Sequence, residues 1–174
     1  MGLKILESEK NLVEICLVDL GNTCKYEYYT VGNSEDLKEA YKNFRERFYA
    51  DEIEIQSISH SQFITDYIDE IFNLIEEVKL INNDEIDLDT VIDVLEATRS
   101  IKDTQRIIKN YEYQYIQAND KECAFIEYLE QIDYLSDIPE RFIGYIDYEK
   151  LMRDFEIEGL QIEEVEFKNF LFIY

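Results

Sequence analysis

VEICLVDLGNTCKYEYYTV, residues 13–31, sets the architecture of the N-terminal part of this chain. Val13–Asp19 and Tyr26–Val31 are rich in β-branched and aromatic residues, and Leu20-Gly21-Asn22-Thr23 between them has turn chemistry. The stretch therefore predicts a β-hairpin. A helix follows: Asn33 or Ser34 can cap it, Glu35 and Asp36 suit its first turn, and Leu37, Tyr41, Phe44 and Phe48 recur at helical spacing. Glu52 to Ile58 then alternates, with Ile53, Ile55 and Ser57 on one face, which predicts a strand. Residues 1–60 thus form a small α+β module.

Residues 61–110 read as helical throughout. Ile64, Tyr67, Ile68, Ile71, Ile75 and Val78 make one apolar stripe of a single predicted helix, and Asp66, Glu70, Asn73 and Glu77 return on the opposite side. After Asn82-Asn83, a short acidic segment buries Leu88, Val91, Ile92 and Leu95, and the bases Arg99, Lys102, Arg106 and Lys109 come late. Residues 111–174 open with an aromatic strand, Tyr111 to Gln117. A helix from about Asp120 to Tyr134 follows, then Ile138-Pro139, a short helix at Glu140 to Ile143, and a helix near Tyr148 to Phe155 closed by Gly159. Leu160 to Phe167 and Asn169 to Tyr174 read as two final strands. The expected fold class is α+β, an elongated chain of three small modules spanning 1–60, 61–110 and 111–174.

Charge is the strongest functional signal. The chain has 40 Asp and Glu against 17 Lys and Arg, a formal net of −23, where a magnitude of roughly 2–8 suits the solubility of a small domain. Acidic chains poor in aromatics are disordered; this one is 46% hydrophobic, with 14 Tyr, 10 Phe and only 5 Gly, and reads as folded. Such self-repulsion destabilises a compact state. It points to a partner that normally receives a polyanion, with an acidic solvated surface as the other reading. Direct nucleic-acid binding is disfavoured, because phosphate contacts need clustered Lys and Arg and only the patch from Arg99 to Lys109 offers them. Met1 to Lys10 has no apolar run after its lysine, so no signal peptide is read. No apolar stretch approaches the roughly 20 residues that span a bilayer, and the expected location is the cytoplasm.

No assembled catalytic site emerges. The single histidine, His60, lies at a strand end beside Ser59 and Ser61 with no third group placed to orient it, and there is no phosphate-cradling glycine loop or nucleophile elbow. Cys16, Cys24 and Cys123 are far apart, without metal or redox spacing; buried or half-buried thiols are expected. Glu85, Asp87, Asp89, Asp93 and Glu96 fall at calcium-loop spacing, but Thr90 stands where the sharp turn needs glycine. Neither a metal nor any other cofactor is predicted, and the chain is not expected to be an enzyme.

Tyr128-Leu129-Glu130-Gln131, Leu135, Ile138-Pro139, Tyr145-Ile146-Asp147-Tyr148 and Arg153-Asp154 before Gly159 resemble the C-terminal signature of the ArdA antirestriction proteins. Val18-Asp19-Leu20-Gly21-Asn22 and the run from Glu54-Ile55 through Phe63 are similar to the N-terminal half of that family, so the likeness extends from about residue 11 to 174. Asp133 and Ser136 stand where the family has glycines in the turn before the proline. The resemblance implies a protein of mobile genetic elements that imitates B-form DNA. Such a protein dimerises through its C-terminal module and occupies the DNA groove of a type I restriction-modification enzyme in the bacterial host cell, without catalysis.

The acids expected to meet that target are Asp66, Asp69, Glu70, Glu76, Glu77, Asp84, Glu85, Asp87, Asp89 and Asp93 of the middle module. Glu127, Glu130, Asp133, Asp137 and Glu140 of the third join them. Tyr128, Tyr134, Leu135, Ile138 and Phe142 are the candidates for a homodimer contact, with a place in the hydrophobic core as the other role for each. The alternatives in function are an anti-CRISPR protein that blocks the DNA channel of a CRISPR effector, and an acidic adaptor or calcium-binding module.

Overall fold

A computed structural model of the chain describes residues 12–57, 62–82 and 86–174. It is mixed α+β, with two three-stranded antiparallel sheets. The chain divides into two compact units, Met1–Gln105 and Arg106–Tyr174.

In the first unit, β1 (Val13–Asp19) is the central strand between β2 (Tyr26–Val31) and β3 (Ile53–Ser57). The register pairs Val13 with Val31 and Leu17 with Ile55. The predicted hairpin forms as read. Its turn is organised by Asp19, a buried carboxylate that accepts the Gly21 N–H at 2.9 Å and meets Lys25 Nζ at 3.4 Å, while Lys25 also donates to the Phe48 carbonyl at 3.0 Å. A Cβ at Gly21 would sit 3.2 Å from the Asp19 Oδ1, closer than ordinary van der Waals contact, so a larger residue there would push the carboxylate aside by a few tenths of an ångström.

Helix α1 (Ser34–Phe48) begins at the Asn33 cap, whose side chain accepts from the Asp36 N–H at 2.9 Å. It packs on β1 and β2 and buries Leu37, Ala40 and Phe44. It ends at Tyr49 in the left-handed region, φ 54°, whose N–H returns to the Arg45 carbonyl at 2.8 Å.

The single helix expected from Ile64 to Val78 is two. α2 (Gln62–Thr65) stops, the chain turns at Asp66 and Tyr67, and α3 (Ile68–Asn82) resumes. Tyr67 N–H bonds the Ile64 carbonyl at 3.1 Å, a tighter closure than an α-helix makes, and the turn lets Ile64, Thr65 and Ile68 all be buried. Phe72 and Leu74 are buried alongside Ile71 and Val78, so the apolar face of α3 is wider than one stripe. It is covered on two sides, by α1 and by α4 (Leu88–Thr98). That double coverage explains why the expected boundary at residue 60 does not separate compact bodies: the helical segment completes the core of the first sheet. Ser34 Oγ to Asn73 Oδ1, 3.0 Å, ties the start of α1 to α3.

α4 starts at Asp87, which accepts the Thr90 N–H at 2.8 Å, and ends at Arg99, φ 54°. α5 (Ile101–Asn110) follows, and the division between the units falls within it, near the expected boundary at 110.

In the second unit, β6 (Asn169–Ile173) lies between β4 (Tyr113–Gln117) and β5 (Gln161–Glu166), with Ile173 opposite both Tyr113 and Gln161. Phe170, Leu171, Phe172 and Ile173 are consecutive and all buried, as suits a central strand covered on both faces. α6 (Lys121–Gln131) is capped by Asp120 and α8 (Tyr148–Glu158) by Asp147 and Gly159, with α7 (Glu140–Ile143) between them. The core gathers Ile116, Phe125, Tyr128, Leu129, Leu135, Leu160, Ile162 and Phe172, with Phe155 packed against it. Asp133 adopts φ 59° and Lys168 φ 62°. Glycine is the ordinary residue for that conformation.

Candidate functional site

The sequence points to a surface of carboxylates. Because α3 buries residues 68, 71, 72, 74 and 78, it turns Asp69, Glu70, Glu76 and Glu77 outward, and Asp66 is exposed in the turn before it. Asn73 lies in the same row; its amide donates to Asp69 Oδ2 at 3.3 Å while its carbonyl oxygen accepts from Ser34. Asp69 is therefore oriented by a residue anchored to α1. From Asp69 to Glu77 the helix rises about 12 Å at 1.5 Å per residue. Those four carboxylates give roughly one charge per 3 Å, close to the 3.4 Å per charge along one strand of DNA. Asp66 and Glu77 also take part in interactions within the protein.

Asp84 and Glu85 lie outside the described residues. Asp87 is exposed but also caps α4, Asp89 is exposed in the first turn, and Asp93 is half-buried and has a partner within the protein. The predicted middle-module acids therefore divide into an outward row on α3 and residues that also hold α4 together.

In the second unit Glu127 and Glu130 point outward from α6 beside Gln131, whose amide donates to Glu127 at 3.3 Å. With Cys123 and Ile126 they line an open depression of about 500 Å³. Asp133, Asp137 and Glu140 are all exposed along the segment from α6 to α7. At the start of α6, Asp120 accepts the Cys123 N–H at 2.8 Å, and this bond and that from the Cys123 thiol hold its carboxyl below its ordinary value. The same carboxylate, chiefly through the thiol bond, pushes the Cys123 thiol up.

The candidates for a dimer contact separate into two groups. Tyr128 and Leu135 are buried in the unit's own core; the Tyr128 ring stacks on Phe172 at 4.9 Å between centroids, and burial, then the proximity of Tyr174, raises its phenol. Ile138 is half-buried against the same core. Tyr134 and Phe142 are exposed, 49% and 48%, as are two residues that periodicity did not single out, Tyr145 and Ile157. Tyr145 had a signal, since it opens the run that carries the family resemblance. Ile157 had none.

The basic patch is partly engaged inside the fold. Arg99 sits over the Phe63 ring at 5.3 Å, Arg106 pairs with Glu112, and Lys109 has a partner, while Lys102 is exposed. Cys16 is buried as expected, but Cys24 and Cys123 are exposed, because each lies in a polar turn or first helical turn without apolar cover. His60 lies outside the described residues. Among the described residues no group of three or more His, Cys, Asp or Glu could hold a metal ion, and no helix is long and apolar enough to cross a membrane.

Compared with protein-family models, curated proteins and solved structures, the chain matches none of them significantly.

Proposed function

We propose that this protein is a DNA-mimic inhibitor that occupies the DNA-binding groove of a host defence enzyme, foremost a type I restriction-modification enzyme. One observation carries the reading. Even if every Lys and Arg were paired, 17 cations leave 23 of 40 carboxylates uncompensated, and the described acids of α3, of α6 and of the segment after α6 face outward. Duplex DNA carries two charges per base pair, so a net of −23 equals about 11–12 base pairs, the scale of a protein footprint.

The inhibitor catalyses no reaction and requires no cofactor. Its carboxylates displace phosphates from a basic groove, so attraction is distributed over many weak contacts and falls with salt. A homodimer using Tyr134 and Phe142 doubles the charge presented. The test is affinity capture from a bacterial lysate, with elution by competing duplex. Recovery of a nuclease or methyltransferase with a DNA groove supports the proposal; recovery of chaperones alone, or of nothing, overturns it.

A further inference from the structure

β2 is the outer strand of its sheet, and its free side has an identifiable chemistry. The Asp19 N–H bonds the Lys25 carbonyl at 3.1 Å, and antiparallel ladders alternate bonded and non-bonded pairs. With the register of β1 and β2, residues 27, 29 and 31 therefore turn their main-chain groups toward β1, and Tyr26, Tyr28 and Thr30 turn theirs away from it. These outward groups have no hydrogen-bond partner among the described residues. The strand lacks the usual guards of a sheet edge: it has no Lys, no Pro and no bulge, and its one charged residue, Glu27, is engaged by Arg47 and by the Tyr29 hydroxyl.

The side chains of Tyr26, Tyr28 and Thr30 share a face with Glu14, directly opposite Thr30. Tyr26 and Tyr28 are 52% and 61% exposed and meet edge to face at 5.7 Å. Glu14, Tyr28, Tyr29 and Thr30 line a cavity of about 390 Å³ at this edge. A carboxylate beside exposed aromatic rings attracts a cationic side chain by charge and by cation–π contact.

We propose that β2 receives an extended segment of another protein as an added strand, with Lys or Arg side chains placed over Tyr26 and Tyr28 and beside Glu14. A second copy of the chain fits less well. Its own β2 has no Lys or Arg to place over Tyr26 and Tyr28, and the one charge it would bring to the seam is another Glu27. The inference goes beyond polyanion mimicry and stands without it, because main-chain pairing is directional where a charge field is not.

The probe is a capped octapeptide of alternating Lys and Val, titrated against the full chain. In the antiparallel register, pairing through Tyr26, Tyr28 and Thr30 requires the Lys amides to face β2 when the Lys side chains lie over the tyrosines. N-methylation of two Lys amides should weaken binding about tenfold or more, as loss of main-chain bonds does, while N-methylation of two Val amides, at identical charge, leaves it within about twofold. Thr30→Pro, a change that an edge strand accommodates, should lower affinity likewise with the circular dichroism spectrum kept. Tyr28→Ala should reduce the preference for Lys over a norleucine peptide. Equal affinity of all three Lys peptides would overturn the proposal in favour of plain charge attraction. A dimer abolished by Thr30→Pro would overturn it in favour of a second copy.

Discussion

Neutralising the outward row of α3, Asp69→Asn with Glu70→Gln, Glu76→Gln and Glu77→Gln, separates binding from folding, because the two effects have different sizes. A charge pair in contact at 4 Å in water is worth about 1 kcal/mol, and a pair one Debye length apart about 0.2 kcal/mol after screening. The four changes together should therefore weaken inhibition by between about 1 and about 4 kcal/mol, roughly fivefold to a thousandfold, and Glu70→Gln alone by at most about fivefold. Stability is touched less. Asp69 and Glu70 lie in the first turn of α3, where each favours the helix dipole by roughly 0.3–1 kcal/mol. The buried residues of α3 are untouched. The quadruple variant should melt about 1–8 °C lower, at roughly 2–4 °C per kcal/mol for a chain of this length. The assay is displacement of a labelled duplex from a type I restriction-modification enzyme at two salt concentrations, beside a thermal melt of each variant. Abolition of inhibition by Glu70→Gln alone, with melting unchanged, would refute distributed attraction, and so would full inhibition by the quadruple variant.

Added sodium chloride should raise the melting temperature, since screening weakens repulsion among carboxylates that cannot all find cations; a flat or falling curve would show the acids internally compensated. Tyr49→Gly should stabilise the protein by about 0.5–1 kcal/mol, because relief of a left-handed non-glycine residue, roughly 1–2 kcal/mol, outweighs the glycine entropy cost. The Tyr49 side chain is 89% exposed and loses little, and denaturant titration reads the change. The Tyr29 phenol is pushed up to about 12 by burial and by its 2.8 Å bond to Glu27. Its contribution is intact below the unfolded value near 10 and is lost as pH rises from there through 12; Tyr29→Phe should flatten that stretch of the stability profile. The Asp120 carboxyl is held low, so its cap persists below the ordinary carboxylate value and fails only as pH falls through the lowered one. Protection of the Cys123 amide, relative to its intrinsic exchange rate at each pH, should be lost there, and constant protection would refute the cap.

Local structure was legible where one physical rule operated alone. β-branched and aromatic runs flanking Gly21-Asn22 placed the first hairpin, and Asn33 and Asp120 marked helix starts because a short polar acceptor there satisfies an otherwise orphaned N–H. The turn at Asp66 and Tyr67 was not legible, since Ile64, Tyr67, Ile68 and Ile71 keep helical spacing straight through it and only burial of Thr65 distinguishes the two halves. The joining of the helical segment to the first sheet was equally hidden: Phe72 and Leu74 read as departures from a stripe, whereas they widen the face of α3 so that α1 and α4 both cover it. At the candidate site the outward acids of α3 followed from periodicity, but the capping role of Asp87 and the core positions of Tyr128 and Leu135 depend on tertiary packing. The exposed edge of β2 follows from strand order, which hairpin signals alone do not fix.

Mutual exclusion tests the central claim most directly. With a type I restriction-modification enzyme held at fixed concentration, binding of this protein is measured at increasing concentrations of cognate duplex, and the complexes are sized. The account predicts that the apparent dissociation constant rises in proportion to duplex concentration, that the effect diminishes with salt, and that no complex contains both ligands. A ternary complex of enzyme, duplex and this protein, or an affinity unchanged by saturating duplex, would contradict it.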